Sequence, residues 1–329
     1  MLPASGHLSH SSTRPHCIQG LASIIPTCNN LALTRDCLAA LQQHTAAGAC
    51  EIIVVDNGST GGTPEFLHHM QERGLIRVIL SPQNLGFAKA CNQGARAARG
   101  EFLVFLNNDT VVTPGWLQEL VSSARENPRV ATVGAKLLYP DDTVQHAGVT
   151  INDERKFFHL YEYFHKDHPA SQCLTAACLL VKNEKFFQLG GFDEQFHYGW
   201  EDMDLCLRFR KQDWQFLYNP RSVIYHLESK TPGRFNKEAE NSGLLFSRWH
   251  HLMVPDTDHY FRKDGIMRPP NYDYTQGGNW GQGRQKVSEA RKVVLTLRRQ
   301  EKGRFPEEPA FCLSLRLCAL ARDSKGFLT

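Results

Sequence analysis

From Leu21 onward, short apolar runs alternate with longer segments of helical period, and this alternation restricts the possible folds more than any other feature of the chain. Apolar runs of about five or six residues between polar turns suit strands buried on both faces, and the amphipathic stretches between them suit the crossover helices that parallel strands require. The spacing predicts strands at about 22–27, 51–56, 76–81 and 101–107, with helices over about 30–46 and 86–98. Leu33, Cys37, Leu38 and Leu41 share one face of the first helix; Phe87, Ala90, Cys91, Gly94 and Ala95 share one face of the second. Thr113-Pro114 reads as an N-cap and first-turn proline, opening a helix with the stripe Leu117, Leu120, Val121 and Ala124. Beyond about residue 130 the alternation loosens to a strand near 174–182, a helix from about 201 to 212 and a strand over Ser222–His226. The expected class is α/β, a mostly parallel central sheet flanked by helices, with an α+β continuation.

The 329 residues suffice for one large domain. A flexible segment is expected at 1–20, the globular domain at 21–260, and a Gly-rich joint with a tail at 261–329, where Gly277 to Gly283 mark the joint. Thirty-seven Lys+Arg against 34 Asp+Glu is too balanced to drive binding to nucleic acid through phosphate neutralisation. The ten cysteines form no C-x-x-C pair and read as reduced, core-filling thiols of a cytoplasmic protein. No apolar run reaches the ~18 residues that span a bilayer, and residues 1–20 lack the apolar stretch of a secretory signal. Arg298, Arg299, Lys302 and Arg304, followed by the apolar 311–320, mark a candidate peripheral contact at the inner face of a membrane, against the reading of a plain tail.

Ligands of open parallel sheets bind beyond the carboxyl ends of the strands, and polar clusters stand at three of them. These are Thr27-Cys28-Asn29-Asn30, Asp56-Asn57-Gly58-Ser59 and Asn107-Asn108-Asp109. Asp56 is either a cap for the next helix or an acceptor for a ribose hydroxyl or a base imide. Asp109 is a hard oxygen ligand suited to Mg²⁺ or Mn²⁺, which would neutralise a diphosphate. Neither G-x-G-x-x-G nor G-x-x-x-x-G-K-[ST] is present. The pairs His68-His69, His250-His251 and His165-x-x-His168 have no completing ligand at zinc spacing and read as solvated surface. The aromatics at 157–164 read either as an acceptor-facing flap or as a local apolar contact.

Six segments in order over roughly 21–235 carry a resemblance. They are Ile24-Ile25-Pro26-Thr27 with Asn29-Asn30, Val54 to Ser59, Asn84-Leu85-Gly86-Phe87-Ala88 with Asn92 and Gly94, Phe105 to Asp109, Gly191-Phe192-Asp193-Glu194 with Trp200 to Leu205, and Val223 to His226. Together they resemble glycosyltransferase family 2 of the GT-A fold, in its rhamnosyltransferase-like bacterial branch. The resemblance implies that Pro26, Thr27 and Asp56 cradle the base and ribose of a nucleotide-sugar, with Asn84, Gly86, Asn92 and Asn108 closing the nucleotide site. Asp109 would correspond to the last acid of the family's D-x-D metal motif, His226 to a histidine of the metal shell, Asp202 to the catalytic base, and Trp200 and Glu201 to the acceptor side. Two departures stand out: Asn107 replaces the first acid of D-x-D, and Cys28 replaces a frequent tyrosine whose ring could stack on the base.

The implied reaction is an inverting transfer from a dTDP- or UDP-sugar to a hydroxyl of a glycan, lipid-linked or protein acceptor, dependent on Mn²⁺ or Mg²⁺, in cell-surface glycan or polysaccharide synthesis. The competing readings are a sugar nucleotidyltransferase, which would carry a Gly- and Arg-rich first loop, and an inactive carbohydrate-binding or partner-binding module in which Asp202 merely decorates a helix dipole.

Overall fold

The structure, a computed structural model, describes residues 20–153, 155, 157–159, 172–227 and 236–263. Its first half follows the predicted alternation. β1 (Leu21–Thr27), α1 (Leu31–His44), β2 (Glu51–Asn57), α2 (Thr63–Glu72), β3 (Arg77–Ser81), α3 (Phe87–Ala97) and β4 (Phe102–Leu106) form parallel units. There follow β5 (Thr110–Val112), α4 (Trp116–Glu126), β6 (Val130–Leu138), β7 (Val144–His146), β8 (Val149–Ile151) and β9 (Phe157–His159). β10 (Cys178–Lys182), α5 (Asn183–Gln188), α6 (Glu201–Lys211), β11 (Gln215–His226), α7 (Glu238–Trp249) and α8 (Thr257–Lys263) complete the described chain.

A nine-stranded sheet runs in the order β3-β2-β1-β4-β10-β6-β11-β5, with β7 beside β6; β8 and β9 form a separate ribbon. β10 lies antiparallel between β4 and β6, and β11 is parallel to β6, so β1, β2, β4, β6 and β11 all point the same way. Alternate residues feed two cores. Ala22, Ile24, Leu103 and Phe105 pack with α3 and α6, whereas Leu21, Ile25, Val104 and Leu106 pack with α1 and α4. Gly94 lets α3 press onto the sheet: a Cβ there would stand 2.4 Å from Ile24 Cγ2.

Two expectations are corrected. Helix α4 does not open at Thr113-Pro114, because the Thr113 hydroxyl donates to the Val223 carbonyl at 2.7 Å and Gly115, at φ 81°, makes the turn before Trp116. The strand expected at Ser222–His226 is the end of the twelve-residue β11, whose register against β6 shifts between Asn219 and Val223, where Pro220 interrupts the pattern. The last described element, α8, runs from Thr257 to Lys263.

Residues 1–19 and 264–329, with the candidate membrane segment, lie outside the described residues, as does most of 152–172. No helix among the described residues is long and apolar enough to cross a membrane. The seven described cysteines are free thiols, and five of them are buried.

Candidate active site

Strand direction alone carries Thr27, Asp56, Asp109 and His226 to one edge of the sheet. β1 and β4 are neighbours whose connections leave in opposite directions, the switch point at which such sheets open a crevice. Pro26 is half-buried at its floor; pairing with β4 stops at Ile24, so the missing proline N–H costs that ladder nothing.

The loops around the crevice are laced by amides. Asn108 Nδ2 donates to Thr27 Oγ1 and Thr34 Oγ1, both at 3.0 Å, tying the end of β4 to β1 and α1. Asn29 and Asn30 take left-handed conformations, φ 58° and 54°, which asparagine tolerates better than most residues. Asn29 N–H donates to Ser59 Oγ at 2.7 Å, and its Oδ1 accepts from Thr60 N–H at 2.8 Å. Asp56 is buried and accepts the Ser59 N–H at 3.0 Å. It therefore shapes its own turn and does not cap α2, whose N-cap is Gly62.

Asn84 is the hub of a second cluster of side chains. Its Oδ1 accepts from Asn57 Nδ2 at 2.9 Å, Gly86 N–H at 3.0 Å and Tyr198 Oη at 2.8 Å, while its Nδ2 reaches Cys28 Sγ at 3.5 Å. Gly86 has φ 88°, and a Cβ there would stand 2.5 Å from the His197 carbonyl, so only glycine lets these loops meet. Tyr198 thus brings a ring to the Cys28–Asn84 corner, where the sequence had lost one. Burial, then the Asp56 carboxylate, pushes the Cys28 thiol up; the Asn84 bond partly offsets both. Asn92 plays a different part from the one expected. It is buried, donates to the Phe192 carbonyl at 2.9 Å and to Glu194 Oε1 at 3.0 Å, and accepts the Phe192 N–H at 3.0 Å. Its amide clasps the Gly191–Glu194 loop instead of facing the crevice.

At the far corner, His226 Nε2 lies 3.2 Å from Asp109 Oδ1 and 3.3 Å from Asn107 Nδ2, with both His226 and Asp109 buried. No group of three or more His, Cys, Asp or Glu that could hold a metal occurs among the described residues. A carboxylate and an imidazole aimed at one point nonetheless fit a divalent cation that takes its remaining ligands from substrate phosphate and water.

Asp202 reaches this corner through the segment before β10. Its Oδ2 accepts the Ala176 N–H at 3.0 Å and its Oδ1 the Met203 N–H at 2.9 Å, while the Ala177 carbonyl accepts the Asn107 N–H at 3.0 Å. The other acids of this first helical turn serve different ends. Glu201 is only 5% exposed, and its charge adds to burial in raising the buried Cys91 thiol. Asp204 is fully buried between Arg208 and Trp249. Trp200, at φ 77°, donates Nε1–H to Glu238 at 3.1 Å and meets Phe157 edge-on at 5.8 Å.

Comparison with known proteins bears on the family and the fold. The model of "Glycosyl transferase family 2" matches residues 23–187, half of the chain, and that of "N-terminal domain of galactosyltransferase" matches residues 155–229. An O-antigen biosynthesis protein of Myxococcus xanthus is 31% identical over 253 residues, 72% of this chain and 20% of that protein. An N-acetylglucosaminyl-diphospho-decaprenol L-rhamnosyltransferase of Mycobacterium tuberculosis is 27% identical over 211 residues, 56% of this chain and 68% of that one. The chain thus spans about a fifth of the Myxococcus relative's length. A mannosyltransferase of Pyrobaculum calidifontis, solved with GDP-Man and Mn²⁺, superposes with a TM-score of 0.54 at 20% identity, covering 70% of this chain and 64% of that one. With its six motifs in order on a matching sheet, the chain belongs to glycosyltransferase family 2 and has the GT-A fold.

Proposed function

We propose that the protein is an inverting glycosyltransferase that moves a sugar from a nucleoside-diphosphate sugar to an acceptor hydroxyl in cell-surface glycan or polysaccharide synthesis. The observation that carries this reading is the meeting of Asp202 with the Asp109–His226 corner through Ala176, Ala177 and Asn107. The acceptor oxygen attacks the anomeric carbon as the bond from that carbon to the diphosphate breaks. The hydroxyl proton passes to Asp202, and the nucleoside diphosphate leaves. The two backbone N–H groups on Asp202 fix its rotamer before the acceptor arrives, which is the preorganisation a late proton transfer needs.

Asp56, Pro26 and Thr27 hold the nucleoside, with the Asn84–Tyr198 pair walling the Cys28 side. Asp109 and His226 are the residues that would hold Mn²⁺ or Mg²⁺, and the ion would supply charge neutralisation for the departing diphosphate. The rhamnosyltransferase relative, whose name specifies a diphospho-decaprenol acceptor, supports a lipid-linked acceptor; the dTDP- or UDP-sugar donor is what the family resemblance implies. A lipid-linked acceptor would place the reaction at a membrane face.

Asp202→Asn is the test. Loss of a general base costs ~10²–10⁴ in rate, so turnover should fall into that range while donor affinity by calorimetry stays within about threefold. Near-normal turnover with an identified acceptor would return Asp202 to a purely structural part.

A further inference from the structure

The fold builds a local feature around Gln145. β7 runs antiparallel to β6 with Leu137 opposite His146 and Leu138 opposite Val144. One step along β6 therefore matches two along β7, which makes Gln145 the extra residue of a β-bulge, a device that re-aims a side chain near a functional edge. The Gln145 side chain is buried, and both ends of its amide are spent on one residue. Nε2 donates to the His226 carbonyl at 3.1 Å, and Oε1 lies 2.6 Å from His226 Nδ1.

For a neutral His226 these contacts select a tautomer. A carbonyl oxygen only accepts, so the amide end facing the His226 carbonyl is the NH₂. The opposite end is then an oxygen, and its close contact requires the hydrogen to sit on Nδ1. A neutral imidazole has one N–H, which leaves Nε2 with its lone pair. That lone pair is turned toward Asp109 Oδ1 at 3.2 Å, where Asn107 Nδ2 also approaches at 3.3 Å.

We infer that Gln145 is a positioning residue which locks His226 in the Nδ1–H tautomer, so that Nε2 and the Asp109 carboxylate converge on one divalent cation. The inference rests on the metal reading of Asp109 and His226 given above. It matters more here than at a site with two acids: with Asn107 in place of a carboxylate, the imidazole lone pair is the second donor at this corner among the described residues. A ligating histidine whose other N–H is unsupported typically loses about 10–100-fold in metal affinity. If Gln145 merely pinned β11 to β7, its removal would lower stability and leave ion affinity unchanged.

Two measurements on the full chain decide between these, neither of them an activity. ¹⁵N NMR of the imidazoles at about pH 8.5, well above the ordinary histidine value of about 6.5, reads the His226 tautomer once its signals are assigned against His226→Asn. Electron paramagnetic resonance titration with Mn²⁺ alone reads ion affinity. Wild type should show Nδ1–H; Gln145→Ala should lose that preference and bind Mn²⁺ about 10–100-fold more weakly. Gln145→Glu, which keeps an acceptor at Nδ1, should hold the tautomer and bind within about tenfold of wild type, so a poorly folded alanine variant leaves the inference testable. An Nε2–H tautomer in wild type, or wild-type Mn²⁺ affinity in Gln145→Ala, overturns it. Wild type that binds no Mn²⁺, or Asp109→Ala that binds it undiminished, would overturn the metal reading itself, and the ion half of this inference with it.

Discussion

Asp204 stands two residues from the proposed base, yet the structure assigns the two carboxylates opposite kinds of importance. Its side chain is 1% exposed and that of Arg208 18%, with Arg208 Nε on Asp204 Oδ2 at 2.7 Å. Trp249 Nε1–H donates to Oδ1 at 2.8 Å, and Arg248 approaches the same oxygen at 3.6 Å. Asp204 thereby ties α6 to α7 with a buried charge. In Asp204→Ala the Arg208 guanidinium keeps the Leu189 carbonyl at 2.8 Å but loses its carboxylate, and the indole N–H of Trp249 loses its acceptor. Breaking a buried pair from one side costs about 3–5 kcal/mol, or roughly 6–20 °C in Tm for a domain of this size. Asp204→Asn, which retains an acceptor and the side-chain shape, should cost less. The half-buried Asp202→Asn should cost about 1 kcal/mol, because one backbone N–H loses its oxygen. Urea unfolding followed by tryptophan fluorescence measures all three, provided the denaturant slope is unchanged. A loss below about 1 kcal/mol in Asp204→Ala would refute the reading that this carboxylate is a structural tie.

Two pH-dependent outcomes arise from the charges around the site. Burial and the Asp56 carboxylate raise the Cys28 thiol, so iodoacetamide should label the Cys28 peptide more slowly at pH 8 than an unhindered cysteine does; Asp56→Asn should move the labelling profile to lower pH without restoring the ordinary one, because burial is the larger cause. An unmoved profile would remove Asp56 from the surroundings of Cys28. Asp193 is pushed up by burial but held below the ordinary carboxylate range by the Gln195 N–H at 2.9 Å and by Arg248 at 2.6 Å. Its contribution to stability is therefore present above the unfolded value of about 3.9 and is lost as pH falls through the lower folded value. Asp193→Asn should flatten the acid limb of the urea midpoint below about pH 4, and an unchanged limb would contradict that sign.

The parallel half of the fold was legible because its strands are uniform apolar runs such as Ile52-Ile53-Val54-Val55, and because each run gives way to polar residues where the strand stops. The same strand-end rule found Asp56 and Asp109, whose places depend only on where a strand stops. The second half showed only parts of β10 and β11 and hid the rest of its strands. β6 mixes Gly134, Thr132 and Lys136 into its pattern, and Gly134 is small because Leu174 packs against it: a Cβ there would stand 2.9 Å from Leu174 Cδ2. β11 carries Pro220 in mid-course. Sequence reasoning placed Asn92 at the nucleotide site because its neighbours in the chain carry the motif, but a motif records which residues lie close along the chain and not which way each side chain turns. Asn92 lies on the face of α3 that meets Phe192. Tyr198 and Gln145 were missed for the converse reason. Each acts on a residue far along the chain, Asn84 and His226, and Gln145 reaches its target only through a bulge whose existence depends on the register of β6 with β7. The residues proposed to touch the nucleotide are set by strand ends and are readable in sequence. Those that orient the first set are fixed by register between strands, and neither composition nor periodicity encodes that until the sheet is assembled.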